Sequence, residues 1–200
     1  GVARAAAMLG DGDVLVWNGD IMSDLDARAL LAAHAAHAAG ERGATLAVLP
    51  RPPGTGTVGL VADGRIVRLR QESFGVETKG GDFLGIHVVG ERLRAALPAK
   101  GCLVGDVYLP SLRRGETLRA YETSAGFVDI GSVAQYLAAN LAWLAARGLS
   151  SWAHPSARVR AAIDGSVVGE GAVVDAPALR SVVWPRAHVQ NACTDAVVTK

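Results

Sequence analysis

The sequence predicts an α/β layered domain over residues 1–148, followed by a stack of short β-coils over 149–200. Three observations carry that expectation. Short β-branched runs alternate with helix-like segments as far as Gly148, the composition changes there, and a 15-residue repeat begins beyond it. Alternating strands and helices build layered α/β domains. A fixed short period builds solenoids.

Taken in order, "DVLVW", "ATLAVLP", "VGLVAD", "RIVRLR" and "FLGIHVVG" are candidate strands, each bounded by Gly, Pro or Asp. Between the first two, "SDLDARALLAAHAAHAAGERG" predicts a helix. Ser23 and Asp26 have capping-box spacing, an Ala/Leu run follows, and Gly40 is the expected stop. A second helix is predicted in "SVAQYLAANLAWLAARG". There Ser132 and Gln135 form the capping box, Val133, Leu137, Leu141 and Leu144 share a face, and Gly148 ends it.

After Gly148 successive units begin at Ser151, Ser166, Ser181 and Ala196. Ala recurs at 157, 172 and 187, and Val at 159, 174 and 189. Val168, Val174, Val183 and Val189 are each followed four residues later by Ala172, Ala178, Ala187 and Cys193. Apolar edges with small residues at the turns suit stacked coils. The pattern resembles the hexapeptide repeat of left-handed parallel β-helices, with shortened coils.

Composition narrows the function. Half of the 200 residues are hydrophobic, yet no apolar run approaches the roughly 20 residues of a membrane span. The opening "GVARAAAMLG" lacks the regions of a signal peptide. A net charge of +1, without a basic stripe, argues against nucleic acid or a membrane surface as partner. Cys102 and Cys193 are far apart and outside any metal-binding spacing. A reducing cytoplasm and small-molecule or protein partners are expected.

In "VLVWNGDIMSDLD" an apolar run ends on an acid, Asp20. An Asn-Gly-Asp corner is an ordinary turn signal, but in a doubly wound sheet ligands bind beyond the carboxyl ends of the strands. A second acid, Asp129 in "AGFVDIGSVAQ", also follows an apolar run and precedes a capped helix. Mg²⁺ is commonly held by one or two carboxylates together with substrate phosphates and water. Two such acids suit a divalent ion.

At these residues the chain resembles the sugar-1-phosphate nucleotidylyltransferases, the superfamily of the mannose-1-phosphate guanylyltransferases. The resemblance rests on "NGD" after an apolar strand and on the later "GFVDIGS". "GRIVRLR", "FLGIHVVG", "DVYLPSL" and a β-helix introduced by "WAHPSARV" extend it. It implies a Rossmann-like nucleotidyltransferase domain and a left-handed parallel β-helix. It also implies Asp20 and Asp129 as catalytic, metal-binding acids for Mg²⁺, and Asn18, Gly59 and Gly85 as substrate-binding positions. The implied substrates are a nucleoside triphosphate and a sugar 1-phosphate, joined with release of pyrophosphate. A homo-oligomer is expected through the repeats, where Trp184 and the Val positions exceed what a thin solenoid buries.

Two departures qualify what the resemblance implies. The family's G-x-G-T-R-x-x-P nucleotide loop is absent, so the N-terminal part of the domain is expected upstream of Gly1 or on another chain, with residues 1–200 inactive alone. Where many members carry Glu-Lys-Pro, this sequence has Gln71, Glu72 and Ser73, leaving Lys79 or Arg70 to supply charge. Arg65, Arg68 and Arg70 fit either phosphate binding or an exposed strand face. His34 and His37, three apart on their helix, could share a metal but are expected to face solvent. Two rival functions remain open: a non-catalytic regulatory subunit of the same superfamily, and a hexapeptide-repeat acyltransferase using His154 or His188 as base.

Overall fold

A computed structural model describes all residues except 6, 7, 39 and 41. The chain forms two compact units, Gly1–Phe127 and Val128–Lys200. The change in composition at Gly148 marks the start of the repeat, whereas the division into units falls before the preceding helix.

The first unit is organised around one long strand. In chain order it contains α1 (Val2–Ala5), β1 (Val14–Trp17), β2 (Ile21–Ser23), α2 (Ala27–Ala36), β3 (Ala44–Arg51), β4 (Val58–Leu60), β5 (Ile66–Leu69), β6 (Glu72–Ser73) and β7 (Lys79–Val89). Then follow α3 (Glu91–Ala95), a π-helix over Leu103–Tyr108, α4 (Leu109–Arg113) and β8 (Leu118–Glu122). Strand β7 pairs with β3 along one edge. Its other edge is shared by β4, opposite residues 79–81, and β1, opposite residues 86–89. The sheet order is β6-β5-β4-β7-β3-β8, with β1 on β7. Only β3 and β8 pair in parallel. The sheet is therefore mixed rather than doubly wound and parallel, because tight connections such as the two-residue β5–β6 link join antiparallel neighbours.

Alternation along β7 sends Leu84, Ile86 and Val88 to one face, where they meet Leu30 of α2 and Leu25. Leu46 and Val48 of β3 face the other way, onto Tyr108, Leu109 and Leu112. Helix α2 begins later and ends sooner than expected. Its N-cap is Asp26, whose carboxylate accepts from the N–H groups of Arg28 and Ala29, while Ser23 ends β2 and accepts from Leu25. It stops at Ala36, before Gly40; residues 39 and 41 of that stretch lie outside the described residues.

His34 corrects a second expectation. It is 1% exposed, its Nδ1 lies 2.8 Å from Thr45 Oγ1, and its Nε2 faces Asp13 at 3.4 Å. The Ala-rich helix lies close on β3, so His34 sits at the packed interface.

The second unit runs from the end of β9 (Phe127–Asp129) through α5 (Val133–Ala146) into the coils. Ser132 caps α5, accepting from Gln135 N–H at 3.2 Å, and the helix ends at Ala146 before Gly148 at φ +64°. Val133 of the expected apolar face is 70% exposed, as the first helical residue, whereas Leu144 is buried.

The coils form a parallel β-solenoid with a 15-residue pitch. Strands β10 (Trp152–Ala153), β12 (Val167–Val168), β15 (Val182–Val183) and β18 (Val197–Val198) stack on one side. A second side stacks β11 (Arg158–Val159), β13 (Val173–Val174) and β16 (His188–Val189), and a third β14 (Ala178–Leu179) on β17 (Cys193–Thr194). Val168, Val174, Val183 and Val189 fill the interior with Ala172, Ala178 and Ala187. The recurrent serine also has a cause. Ser166 Oγ accepts from Ser181 N–H at 2.9 Å, and Ser181 Oγ accepts from Ala196 N–H at 3.1 Å, so each hydroxyl ties its coil to the next.

Helix α5 brings Tyr136 and Trp143 edge-on to Trp184 and Trp152, with ring centroids 6.2 and 6.1 Å apart. Val182, on the outer side of its strand, is 3% exposed. Part of the solenoid's surplus apolar surface is therefore covered within the unit itself. Trp184 remains 46% exposed. No helix among the described residues is long and apolar enough to cross a membrane.

Candidate functional site

The Asn-Gly-Asp corner is a tight turn closing β1. Ile21 N–H donates to Asn18 O at 3.1 Å, and Trp17 Nε1 donates to Ile21 O at 3.0 Å. Gly19 and Asp20 occupy its exposed tip. Among the described residues the Asp20 carboxylate has no hydrogen-bond or ion-pair partner.

Asn18 and Gly85 meet. Asn18 N–H donates to Gly85 O at 3.1 Å, and a Cβ on Gly85 would lie 2.9 Å from Asn18 Nδ2. Gly85 has φ +71° at the irregularity where the other edge of β7 passes from β4 to β1. Glycine is needed there for both conformation and space. Asn18 also lines a cavity of about 230 Å³ with Val16, Lys100, Cys102 and Val107.

Gly59 lies elsewhere, in β4. Its bare Cα is in contact with the Glu77 carboxylate, which would collide with any side chain at that position. Glu77 is paired with Arg68 Nε at 2.7 Å and also accepts from Gly54 N–H. These two donors hold the Glu77 carboxyl below its ordinary range, Arg68 contributing most. The Arg68 guanidinium further donates to the carbonyls of Thr55, Gly56, Val58 and Arg70. Arg68 thus clamps the Gly-rich loop, and Gly59 provides the space for that clamp.

Asp129, in the second unit, ends β9 just before the Ser132 cap of α5 and is exposed. Its Oδ1 lies 3.4 Å from the position a Cβ would take on Gly131. No group of three His, Cys, Asp or Glu side chains able to hold a metal forms among the described residues. Hard carboxylate oxygens free of protein partners suit Mg²⁺, with water and phosphate completing its shell.

A cleft of about 620 Å³ opens between the Gly56–Thr57 backbone, the β5–β6 turn and Leu109. Arg70, Gln71 and Glu72 line it. Glu72 is held by Arg113 at 2.6 and 3.0 Å, and Lys79 by Glu122 at 2.8 Å. Arg70 Nη2 lies 3.5 Å from Cys102 Sγ. Backbone N–H groups of Gly105 and Val104, with Arg70, hold the exposed Cys102 thiol below its ordinary pKa.

The sequence reading did not find the Arg68–Glu77 clamp, the His34–Thr45 contact or the Cys102–Arg70 contact. The β5–β6 hairpin has no clear local signal either, since "RIVRLR" carries Arg70 inside the candidate strand and β6 is only the two residues Glu72–Ser73.

Two solved structures of HddC from Yersinia pseudotuberculosis, one complexed with GMP-PN, share the fold with a TM-score of 0.52. The likeness shows a shared fold. Identity to them is 18%, over 69% of this chain, and the chain spans 58% of theirs. A putative glucose-1-phosphate thymidylyltransferase from Bacillus anthracis, in complex with a sucrose, matches with a TM-score of 0.49 and 17% identity over 70% of this chain and 57% of its own. No family model and no curated protein matches the sequence.

Proposed function

We propose that this chain forms part of an enzyme that transfers a nucleotidyl group from a nucleoside triphosphate to a sugar 1-phosphate. The observation that carries the reading is the junction of Asn18 with Gly85, which holds the β1 corner against the sheet and turns the unpaired Asp20 carboxylate outward. In the reaction an oxygen of the sugar phosphate attacks the α-phosphorus, a new P–O bond forms, and pyrophosphate leaves with the electrons of the broken P–O bond. Asp20 and Asp129 are each assigned to binding a divalent cation. Bound Mg²⁺ would neutralise phosphate charge and orient the reacting groups. The residues of the β1 corner position the carboxylate, and the cleft beside Arg70 offers hydrogen-bonding groups over an apolar floor.

The test is pyrophosphate release by the full-length gene product, screened against sugar phosphates paired with nucleoside triphosphates. Asp20→Asn and Asp129→Asn should each lower the rate by about two orders of magnitude or more without changing the thermal midpoint. Activity at the wild-type level in either variant would remove that acid from the mechanism.

Glu77 filling the space beside Gly59 favours a second reading, a non-catalytic subunit of the same superfamily. Absence of turnover with every substrate pair, together with altered activity of an associated catalytic chain, would select it. Cytoplasmic residence and self-association through the solenoid belong to the same proposal. Light scattering at micromolar concentration, compared between the wild type and Trp184→Ser, tests the second.

A further inference from the structure

The tip of the β1 corner sets a side-chain amide beside the neighbour best able to attack it. Asparagine stands at Asn18, Asn140 and Asn191, and only Asn18 is followed by glycine. Asn140 lies inside α5, where its Nδ2 donates to Tyr136 O at 2.8 Å, and Leu141 follows it. Asn191 is exposed between β16 and β17, and Ala192 follows it. At the β1 corner Asn18 and Gly19 are both exposed.

The turn leaves both reacting groups free. The backbone of Asn18 is held, its N–H on Gly85 O and its O on Ile21 N–H, each at 3.1 Å. Its carboxamide and the Gly19 N–H have no hydrogen-bond partner among the described residues. Nothing lies within 4 Å of the position a Cβ would take on Gly19, so solvent reaches that stretch of backbone. Glycine carries no side chain to crowd its nitrogen, and it rotates freely enough to bring that nitrogen onto the preceding side chain.

We infer that Asn18 is a site of spontaneous deamidation, converted through a cyclic imide to aspartate and isoaspartate. Solvent base removes the Gly19 amide proton, and the nitrogen attacks Asn18 Cγ. A new N–Cγ bond closes the succinimide ring. The Cγ–Nδ2 bond breaks with its electron pair on nitrogen, which takes a proton from water and leaves as ammonia. Water then adds to one of the ring carbonyls. Opening at Cγ gives aspartate. Opening at the backbone carbonyl gives isoaspartate, in which the chain runs through Cβ and Cγ and the former carbonyl carbon carries a free carboxylate. Either product adds a negative charge two residues before Asp20. Isoaspartate also lengthens the backbone by a methylene, which breaks the bond from Ile21 N–H to Asn18 O that closes the turn. The modification stands without the nucleotidyl-transfer reading, whereas its effect on turnover rests on that reading.

Peptide mapping by mass spectrometry on the folded protein, incubated in heavy-oxygen water, follows all three asparagines at once. Heavy oxygen enters a carboxylate only where an amide has been lost. Conversion should be confined to Asn18, should yield more isoaspartate than aspartate, and should run faster in mildly alkaline than in mildly acidic buffer. Alanine fits both the open space and the backbone at Gly19, whose φ is not positive. Gly19→Ala should slow conversion about tenfold or more, because a Cβ crowds the nitrogen and restricts its rotation. Asn191 in the same sample gives the rate at an exposed asparagine followed by alanine. Asn18 unchanged in the folded protein while it converts in the urea-unfolded chain would overturn the inference. Equal rates at Asn18 and Asn191, or in wild type and Gly19→Ala, would do the same. Pyrophosphate release by the full-length product should fall in proportion to the isoaspartate fraction, and less in Asn18→Asp, which adds the charge without lengthening the chain. Turnover independent of the converted fraction would overturn that consequence. A fresh product without turnover removes the proposed function, while conversion confined to Asn18 still supports the modification.

Discussion

The two units fill their interiors by different rules. In the first, an eleven-residue strand, β7, takes three partners, and each position along it has surroundings found nowhere else in the molecule. In the second, two-residue strands stack on copies of themselves 15 residues away, and almost every position has a counterpart one coil later. One unit depends on single irreplaceable residues, whereas the other spreads its requirements over equivalent ones. Substitutions at glycine and histidine positions measure that difference.

The largest effect is expected at Gly80. A Cβ there would press into the backbone carbonyls of Pro52 and Thr55, well inside van der Waals contact, and backbone cannot move aside as a side chain can. Gly80→Ala should cost about 3 kcal/mol or more and drive the loop off β7. Gly165 stands at a solenoid corner, where the nearest atom to a Cβ is in the flexible Arg180 side chain at 3.1 Å and φ is +68°. Gly165→Ala should cost about 1 kcal/mol, mostly as backbone strain. Urea unfolding of both variants checks the ratio, and equal losses would erase the distinction between the units.

Acid should separate them next. His34 and His87 both lie in the first unit, and burial lowers the pKa of each, that of His87 to about 4 from 6.5. The native state then holds fewer protons than the unfolded chain below about pH 6.5. Their contribution is complete above that pH and is lost as pH falls, for His87 down to about pH 4. In the solenoid the lowered groups are Asp175, bonded to His188 and Arg160, and Asp195, bonded to Arg180, whose ordinary value is 3.8. Their contribution is lost only below that value. Decline between about pH 6.5 and 4.5 thus belongs to the histidines, with a slope of up to about 1.4 kcal/mol per pH unit for each proton taken up. His87→Leu should flatten it. Because both ring nitrogens of His87 are buried without a hydrogen-bond partner among the described residues, the same change should raise stability at neutral pH by about 1 kcal/mol. An unchanged slope would show that His87 is not the group responsible.

These contrasts also explain what could be read in advance. The coil register was legible because a 15-residue period is written into the chain, in Ser166 and Ser181 as much as in Val168 and Val183. Strand positions in the first unit were legible from β-branched runs. Their pairing was not, since nothing local says that β7 carries β4 and β1 on the same edge. The candidate site divides the same way. Asn18 and Asp20 stand in a local turn motif, and the contact of Asn18 with Gly85 follows from pairing 67 positions apart. The space beside Gly59 is filled by Glu77 through a clamp that only the tertiary fold creates. His34 was misjudged for the same reason: alanines on either side disguise a helix face that is pressed against β3.

The smallest predicted effect lies in the solenoid turns. Gly165, Arg180 and Asp195 recur at the 15-residue pitch with φ of +68°, +45° and +52°, and Gly171 and Arg186 with +61° and +61°. The same corner is thus built with glycine in one coil and with a long side chain in the next. Among the described residues Arg186 forms no ion pair, whereas Arg180 is bridged to Asp195, so Arg186 is the cleaner position to test. Arg186→Gly relieves the left-handed strain but gives the unfolded chain more freedom to lose. The strain relieved is about 1.5 kcal/mol and the entropy term about 1 kcal/mol, so a net gain of about 0.5 kcal/mol is expected. Gly171→Ala should lose about 1 kcal/mol at the matching corner one coil earlier. Thermal midpoints for the two variants, measured with Arg186→Ala as a control for the side chain alone, decide the matter. If Arg186→Ala gains as much as Arg186→Gly, the side chain and not the backbone sets the cost, and the two coils are less alike than their shared pitch implies.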